Sequence, residues 1–194
     1  LAASRQRQTE ALALRERIGD ARGVAASHNS LGLLAQDLGD LAAARRQFEV
    51  ALALNREGGR EEAAATNLVN LAGLASLEGE FARAESLYKD ALATWRAAEA
   101  WADAADALHG LGQLELRRGD YPAARAALVE ALAILDRTGP LADALVVRRA
   151  LADALAAAGQ LQGALDELQR AQQAADSARA PFGSRAGLAL ARAD

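Results

Sequence analysis

The stretch LGLLAQDLGDLAAARRQFEVAL (residues 31–52) returns forty residues later as LAGLASLEGEFARAESLYKDAL (71–92), and again as LGQLELRRGDYPAARAALVEAL (111–132). A worn fourth copy, LADALAAAGQLQGALDELQRAQ, occupies 151–172. Repetition at a fixed period of this size is the signature of a stacked array, in which each unit buries its apolar face only against its neighbours.

On a 40-residue ruler the copies resolve into columns. Gly39, Gly79, Gly119 and Gly159 share one, followed by Asp40, Glu80, Asp120 and Gln160. Ala44, Ala84, Ala124 and Ala164 form another, and Ala51, Ala91, Ala131 and Ala171 a third. Leu31, Leu71, Leu111 and Leu151 are each followed by Gly or Ala, and a large residue stands at Phe48, Tyr88, Leu128 and Leu168. The glycine closes a helix in the left-handed conformation. The residue after it, where acidic, caps the next helix and complements its positive end. Each copy therefore reads as helix, tight turn, helix. The alanines lie two turns apart on one face, where a second helix can approach closely, and the leucine and the large residue fill the remaining space.

Composition agrees. Among 194 residues 52% are hydrophobic but only 4% aromatic, so the core must be built from Ala and Leu, both strong helix formers. No apolar run is long enough to span a bilayer and no secretory leader opens the chain, which predicts a cytoplasmic protein without membrane contact. There is no cysteine, hence neither disulfide nor thiolate site. The net charge is −4, and the basic residues are interleaved with acids rather than gathered in a stripe, which disfavours nucleic acid. All basic residues except Lys89 are arginine, the codon bias of a GC-rich genome and so of a bacterial source.

These columns resemble the tetratricopeptide repeat family. The family pattern of leucine plus small residue, a Gly-Asp-Tyr-like turn, Ala, a large aromatic and Ala is met here by Leu111-Gly112, Gly119-Asp120-Tyr121, Ala124, Leu128 and Ala131. It is met again by Leu71-Ala72, Gly79-Glu80-Phe81, Ala84, Tyr88 and Ala91. The 40-residue period resembles the longer variety found in kinesin light chains and bacterial multidomain regulators. Departures are His28, Leu68, Leu108 and Arg148 in place of an early aromatic, and Gln172 in place of a leucine. The resemblance implies an all-α, right-handed superhelical solenoid of antiparallel helix pairs. Residues 1–20 would be the second half of a repeat, 21–60, 61–100, 101–140 and 141–180 full repeats, and 181–194 the first helix of a further one.

The resemblance further implies a non-catalytic scaffold that binds protein or peptide along a concave face lined by the first helices, as the repeat arm of a larger bacterial signalling or regulatory protein. The matching groove positions are Asn29, Leu33, Gln36, Asn70, Gly73, His109, Gln113, Arg117, Arg149 and Asp153. Asparagine can grip a peptide backbone through a donor and an acceptor. Arg149, and His109 when protonated, can hold a carboxylate. These side chains are equally readable as a solvated helix face. Only Asn29 and Arg149 partly match the family's clamp for free C-termini, so that clamp is not expected. Trp95 and Trp101 flank the turn between copies two and three, as a contact patch or stacked on each other to fill space. The alternative function is a structural spacer or self-association module, a homodimer paired through exposed apolar ends such as Leu188 and Leu190.

Catalysis finds no support. His28 and His109 lie two repeats apart without HExxH spacing, so no metal is expected. Adjacent Ser27 and His28 on a helix point in different directions and make no nucleophile–base pair. The Gly-x-Gly of HGLGQL (109–114) follows no strand, and its second glycine belongs to the packing column. No cofactor is expected.

Overall fold

The computed structural model describes residues 2–138 and 140–179. Residues 181–194, with Leu188 and Leu190, lie outside the described residues. Every regular element described is a helix: α1 (Ala2–Arg17), α2 (Ala21–Asp37), α3 (Leu41–Glu57), α4 (Glu61–Leu77), α5 (Phe81–Ala97), α6 (Trp101–Arg118), α7 (Tyr121–Thr138), α8 (Leu141–Ala157) and α9 (Leu161–Arg179). Two or three residues join each helix to the next. Connectors so short force antiparallel neighbours.

One turn recurs among the described connections. Gly39 has φ +78°, its N–H donates to Gln36 O at 2.9 Å, and the Asp40 N–H reaches back to Ala35 O at 2.9 Å. That doubly bonded closure satisfies carbonyls the helix leaves orphaned. The same left-handed residue recurs every twenty positions, at Gly19, Gly59, Gly79, Gly119 and Gly159, so the structural half-period is finer than the 40-residue columns. At position 99 the place is taken by Glu99, with φ +56°. A side chain there is strained, and Glu99→Gly should gain about 0.5–1 kcal/mol, readable as a higher melting temperature.

Capping follows the sequence in part. Asp20 accepts from Gly23 N at 2.8 Å, Asp40 from Ala43 N at 2.9 Å, and Asp120 from Ala123 N at 3.0 Å. Glu80 makes no cap bond; its longer side chain instead takes Arg83 Nη1 at 2.9 Å.

The columns are the core. Ala44, Ala84 and Ala124 are fully buried, as are Ala51, Ala91 and Ala131. The large residue of each second helix fills a notch in the first-helix layer: a Cβ at Gly32 would fall 2.5 Å from the Phe48 ring, and one at Gly112 2.5 Å from Leu128 Cγ. Small residues there are a packing requirement. The fourth copy breaks the rule, since Leu168 is 46% exposed where its equivalents are buried. Phe48, Tyr88 and Leu128 stand on helices packed between two first helices, whereas among the described residues α9 packs on α8 alone.

First helices touch their successors, α4 with α6 and α6 with α8, and so form the inner layer of the stack. Ion pairs cross-link the second helices: Arg83 with Glu49 at 3.8 Å, and Arg96 with Glu130.

Candidate functional site

All ten groove positions lie on first helices: Asn29, Leu33 and Gln36 on α2, Asn70 and Gly73 on α4, His109, Gln113 and Arg117 on α6, Arg149 and Asp153 on α8. Their surroundings divide them into three groups.

The asparagines are tied together. Asn29 Oδ1 accepts from Asn70 Nδ2 at 2.8 Å and from Asn67 Nδ2 at 2.9 Å. Asn67 Oδ1 accepts from Asn55 Nδ2 at 2.8 Å, and Asn55 Oδ1 from Arg60 Nε at 3.0 Å. Asn55 and Asn67 are buried, so this chain of amides satisfies groups that would otherwise be stranded away from water. It clamps α2, α3 and α4 and fixes the rotamers of Asn29 and Asn70. A cavity of about 250 Å3 beside it is lined by Arg22, Asn29, Asn55, Arg60 and Asn67. Asn67, Asn55 and Arg60 escaped the sequence reading because no column repeats them.

The centre of the face is neutral. His109 Nε2 lies 2.9 Å from Gln113 Nε2, and burial lowers the His109 pKa. Burial thus disfavours the protonated ring, the form in which His109 could hold a carboxylate. Asp106, one turn earlier, is raised by burial and by the nearby charges of Asp143 and Asp103.

The arginines are unpaired. Arg117 and Arg149 are exposed, and neither has an ion-pair partner among the described residues. Leu33, 44% exposed, is a large apolar side chain on α2 with Gln36 one turn on, and Asp153 follows Arg149 by one turn on α8, three first helices away.

The tryptophans separate. Trp95 is 3% exposed and packs in the main core, so it is removed from the proposed contact patch; Trp101, opening α6, is 44% exposed. Ser27 and His28 diverge as expected: Ser27 Oγ accepts from Arg15 Nη1, while His28 Nδ1 lies 2.7 Å from Gln47 Oε1. Among the described residues no group of three or more His, Asp or Glu could hold a metal ion.

Models of the tetratricopeptide repeat match residues 24–57, 62–137 and 103–177. The chain belongs to the tetratricopeptide repeat family. The family is not associated with catalysis, and no catalytic motif is found among the described residues. A search of curated proteins returns no match. Among solved structures, BtubC (BKLC) from P. vanneervenii superposes with a TM-score of 0.74 at 24% identity, over 91% of this chain and 82% of that one. A kinesin light chain-type protein of Podosopora anserina with nearly identical TPR-like repeats gives 0.71 at 19% identity, over 92% and 89%. A Rap protein complexed with Competence and Sporulation Factor gives 0.70 at 18% identity, over 82% of this chain and 44% of that one. At these identities the likeness is one of fold. No helix among the described residues is long and apolar enough to cross a membrane.

Proposed function

We propose that the inner face binds a protein partner through an extended peptide segment, and that the chain serves as the repeat arm of a larger bacterial signalling or regulatory protein. The observation that carries this reading is that Arg117 and Arg149, on first helices, are exposed and have no ion-pair partner among the described residues, with Leu33 exposed on another first helix. Exposed charge on α6 and α8 together with exposed apolar surface on α2, all on first helices, suits a surface that meets another chain along several repeats. The similar Rap protein, solved in complex with Competence and Sporulation Factor, lends the reading weight.

The test is affinity capture from a lysate of the source organism. An inner-face variant carrying Leu33→Asp, Gln113→Ala, Arg117→Ala and Arg149→Ala would be run beside an outer-face control, Val129→Asp with Arg125→Ala. A protein retained by the wild type and the control but lost by the inner-face variant is expected. Equal retention by all three would move the working surface off this face.

The second reading, self-association, is favoured by one observation. Leu161, Leu165 and Leu168 of α9 are 65%, 52% and 46% exposed. If they pair with a second copy, light scattering would find a dimer that Leu161→Lys with Leu165→Lys dissolves, and the inner-face variant would leave it intact.

A further inference from the structure

Tyr88 stands in the core column on α5, yet it does something its equivalents Phe48, Leu128 and Leu168 cannot. Its ring reaches between α4 and α6 to a place where both inner helices carry glycine. A Cβ at Gly110 would lie 2.6 Å from Tyr88 Cζ and 2.9 Å from the hydroxyl, and a Cβ at Gly73 3.8 Å from the hydroxyl. The two glycines thus form a window, and the phenol tip fills it from behind.

The side chain is only 6% exposed, and its hydroxyl has no hydrogen-bond partner among the described residues. Among the described residues no buried side-chain oxygen or nitrogen is left unsatisfied, so this oxygen keeps contact with solvent. A hydroxyl whose partner is solvent, at the tip of an otherwise buried ring, can donate to an acceptor brought by a ligand without breaking any bond within the fold. Burial raises the Tyr88 pKa and keeps the phenol protonated, hence a donor; Arg117 acts in the opposite sense and is near enough to be felt. Arg117 lies seven residues, about two helical turns, beyond Gly110 on the same face of α6; phenol and guanidinium are both donors and call for an oxygen acceptor, the guanidinium for a charged one.

Charge along α6 sets the direction. Asp103 and Asp106 lie in its first half and face Asp143 on α8, while Arg117 lies in its last turn. An acidic ligand group is repelled from the first end and drawn to the second.

We propose that the Tyr88 hydroxyl, framed by Gly73 and Gly110, forms with the unpaired Arg117 guanidinium a subsite for the carboxylate of an Asp or Glu side chain within an extended peptide. This deepens, and rests on, the peptide-binding reading of the inner face.

The probe is a random dodecapeptide library displayed on phage and selected on the whole chain. Enriched sequences are then made as C-terminally amidated peptides, so that side chains supply the only carboxylates. Enriched peptides are expected to share an Asp or Glu, and changing it to Asn or Gln should weaken binding by about tenfold or more. Tyr88→Phe, which keeps the ring that fills the core, should weaken the acidic peptide by about tenfold and barely affect the amide version. Arg117→Ala should weaken it by about two- to fivefold. An unchanged melting temperature for Tyr88→Phe would certify the fold. Peptides that bind the inner face, as judged by loss on Leu33→Asp, but show equal affinity for wild type and Tyr88→Phe would overturn the subsite alone. A library that enriches nothing would overturn both the subsite and the peptide-binding reading.

Discussion

Arg117 and Arg118 are neighbours in sequence, as are Arg148 and Arg149, and in each pair the two side chains meet opposite fates. Arg118 pairs with Glu85 of α5 at 2.8 Å and with Glu115 at 3.2 Å. Arg148 pairs with Asp136 of α7 at 2.6 Å and with Glu167 of α9 at 3.1 Å. Both are thereby joined to the second-helix layer. Arg117 and Arg149, one helical step round, have no ion-pair partner among the described residues. In each of these two pairs, one arginine holds the stack and its neighbour is left without an ion-pair partner among the described residues. In a solenoid, where each unit touches only its neighbours, seams must be stapled locally, and any charge not used for that is free for a partner.

The comparison breaks most sharply at α8. Arg148→Ala would leave Glu167, 7% exposed, with only the exposed Arg170 for company, and should destabilise by about 2 kcal/mol, lowering the melting temperature by several degrees. Arg149→Ala should change stability by less than about 0.5 kcal/mol. Thermal unfolding of the two variants decides. A weaker version of the contrast is expected at α6, where Arg118→Ala should cost at most about 1 kcal/mol because its pairs are exposed. Arg117→Ala should cost nothing measurable in the same unfolding experiment.

The smallest effect concerns the acids of the inner face. The carboxyl of Asp106 is raised by burial and by Asp143 and Asp103, so the folded chain holds that proton more tightly than the unfolded chain does. Ionisation therefore works against folding. The penalty is absent below the ordinary aspartate range and fully present above the raised value. Asp106→Asn should accordingly stabilise slightly near pH 7, by at most about 0.5 kcal/mol, and the gain should vanish near about pH 3. A pH series of melting temperatures for the wild type and the variant reads the difference.

The packing of the stack was legible in the sequence because packing repeats. Gly39, Ala44, Phe48 and Ala51 recur at a fixed spacing, and each recurrence does the same steric work. What does not recur was hidden. The amide chain through Asn55, Asn67 and Arg60 occurs once, and its members are brought together by stacking rather than by proximity in sequence. Gly110 looked idle beside the packing glycine Gly112, and only the fold reveals that it clears space for the Tyr88 ring. Tyr88 itself was read correctly as a core residue, but its hydroxyl adds nothing to that role. Trp95 and Trp101, six residues apart, are split between core and surface by the turn between them. Leu168 kept its column but not its burial: among the described residues α9 packs on α8, whereas α3, α5 and α7 each pack on two first helices.

The most direct test of this division measures two quantities on four proteins. Arg117→Ala, Arg118→Ala, Arg148→Ala and Arg149→Ala would each be assayed for melting temperature and for affinity toward an inner-face peptide selected from the library. The account predicts that Arg118→Ala and Arg148→Ala lose stability while folded protein keeps its affinity, and that Arg117→Ala and Arg149→Ala keep stability and lose affinity. Inner arginines that lower the melting temperature as much as the outer ones, with affinity unchanged in all four, would contradict it.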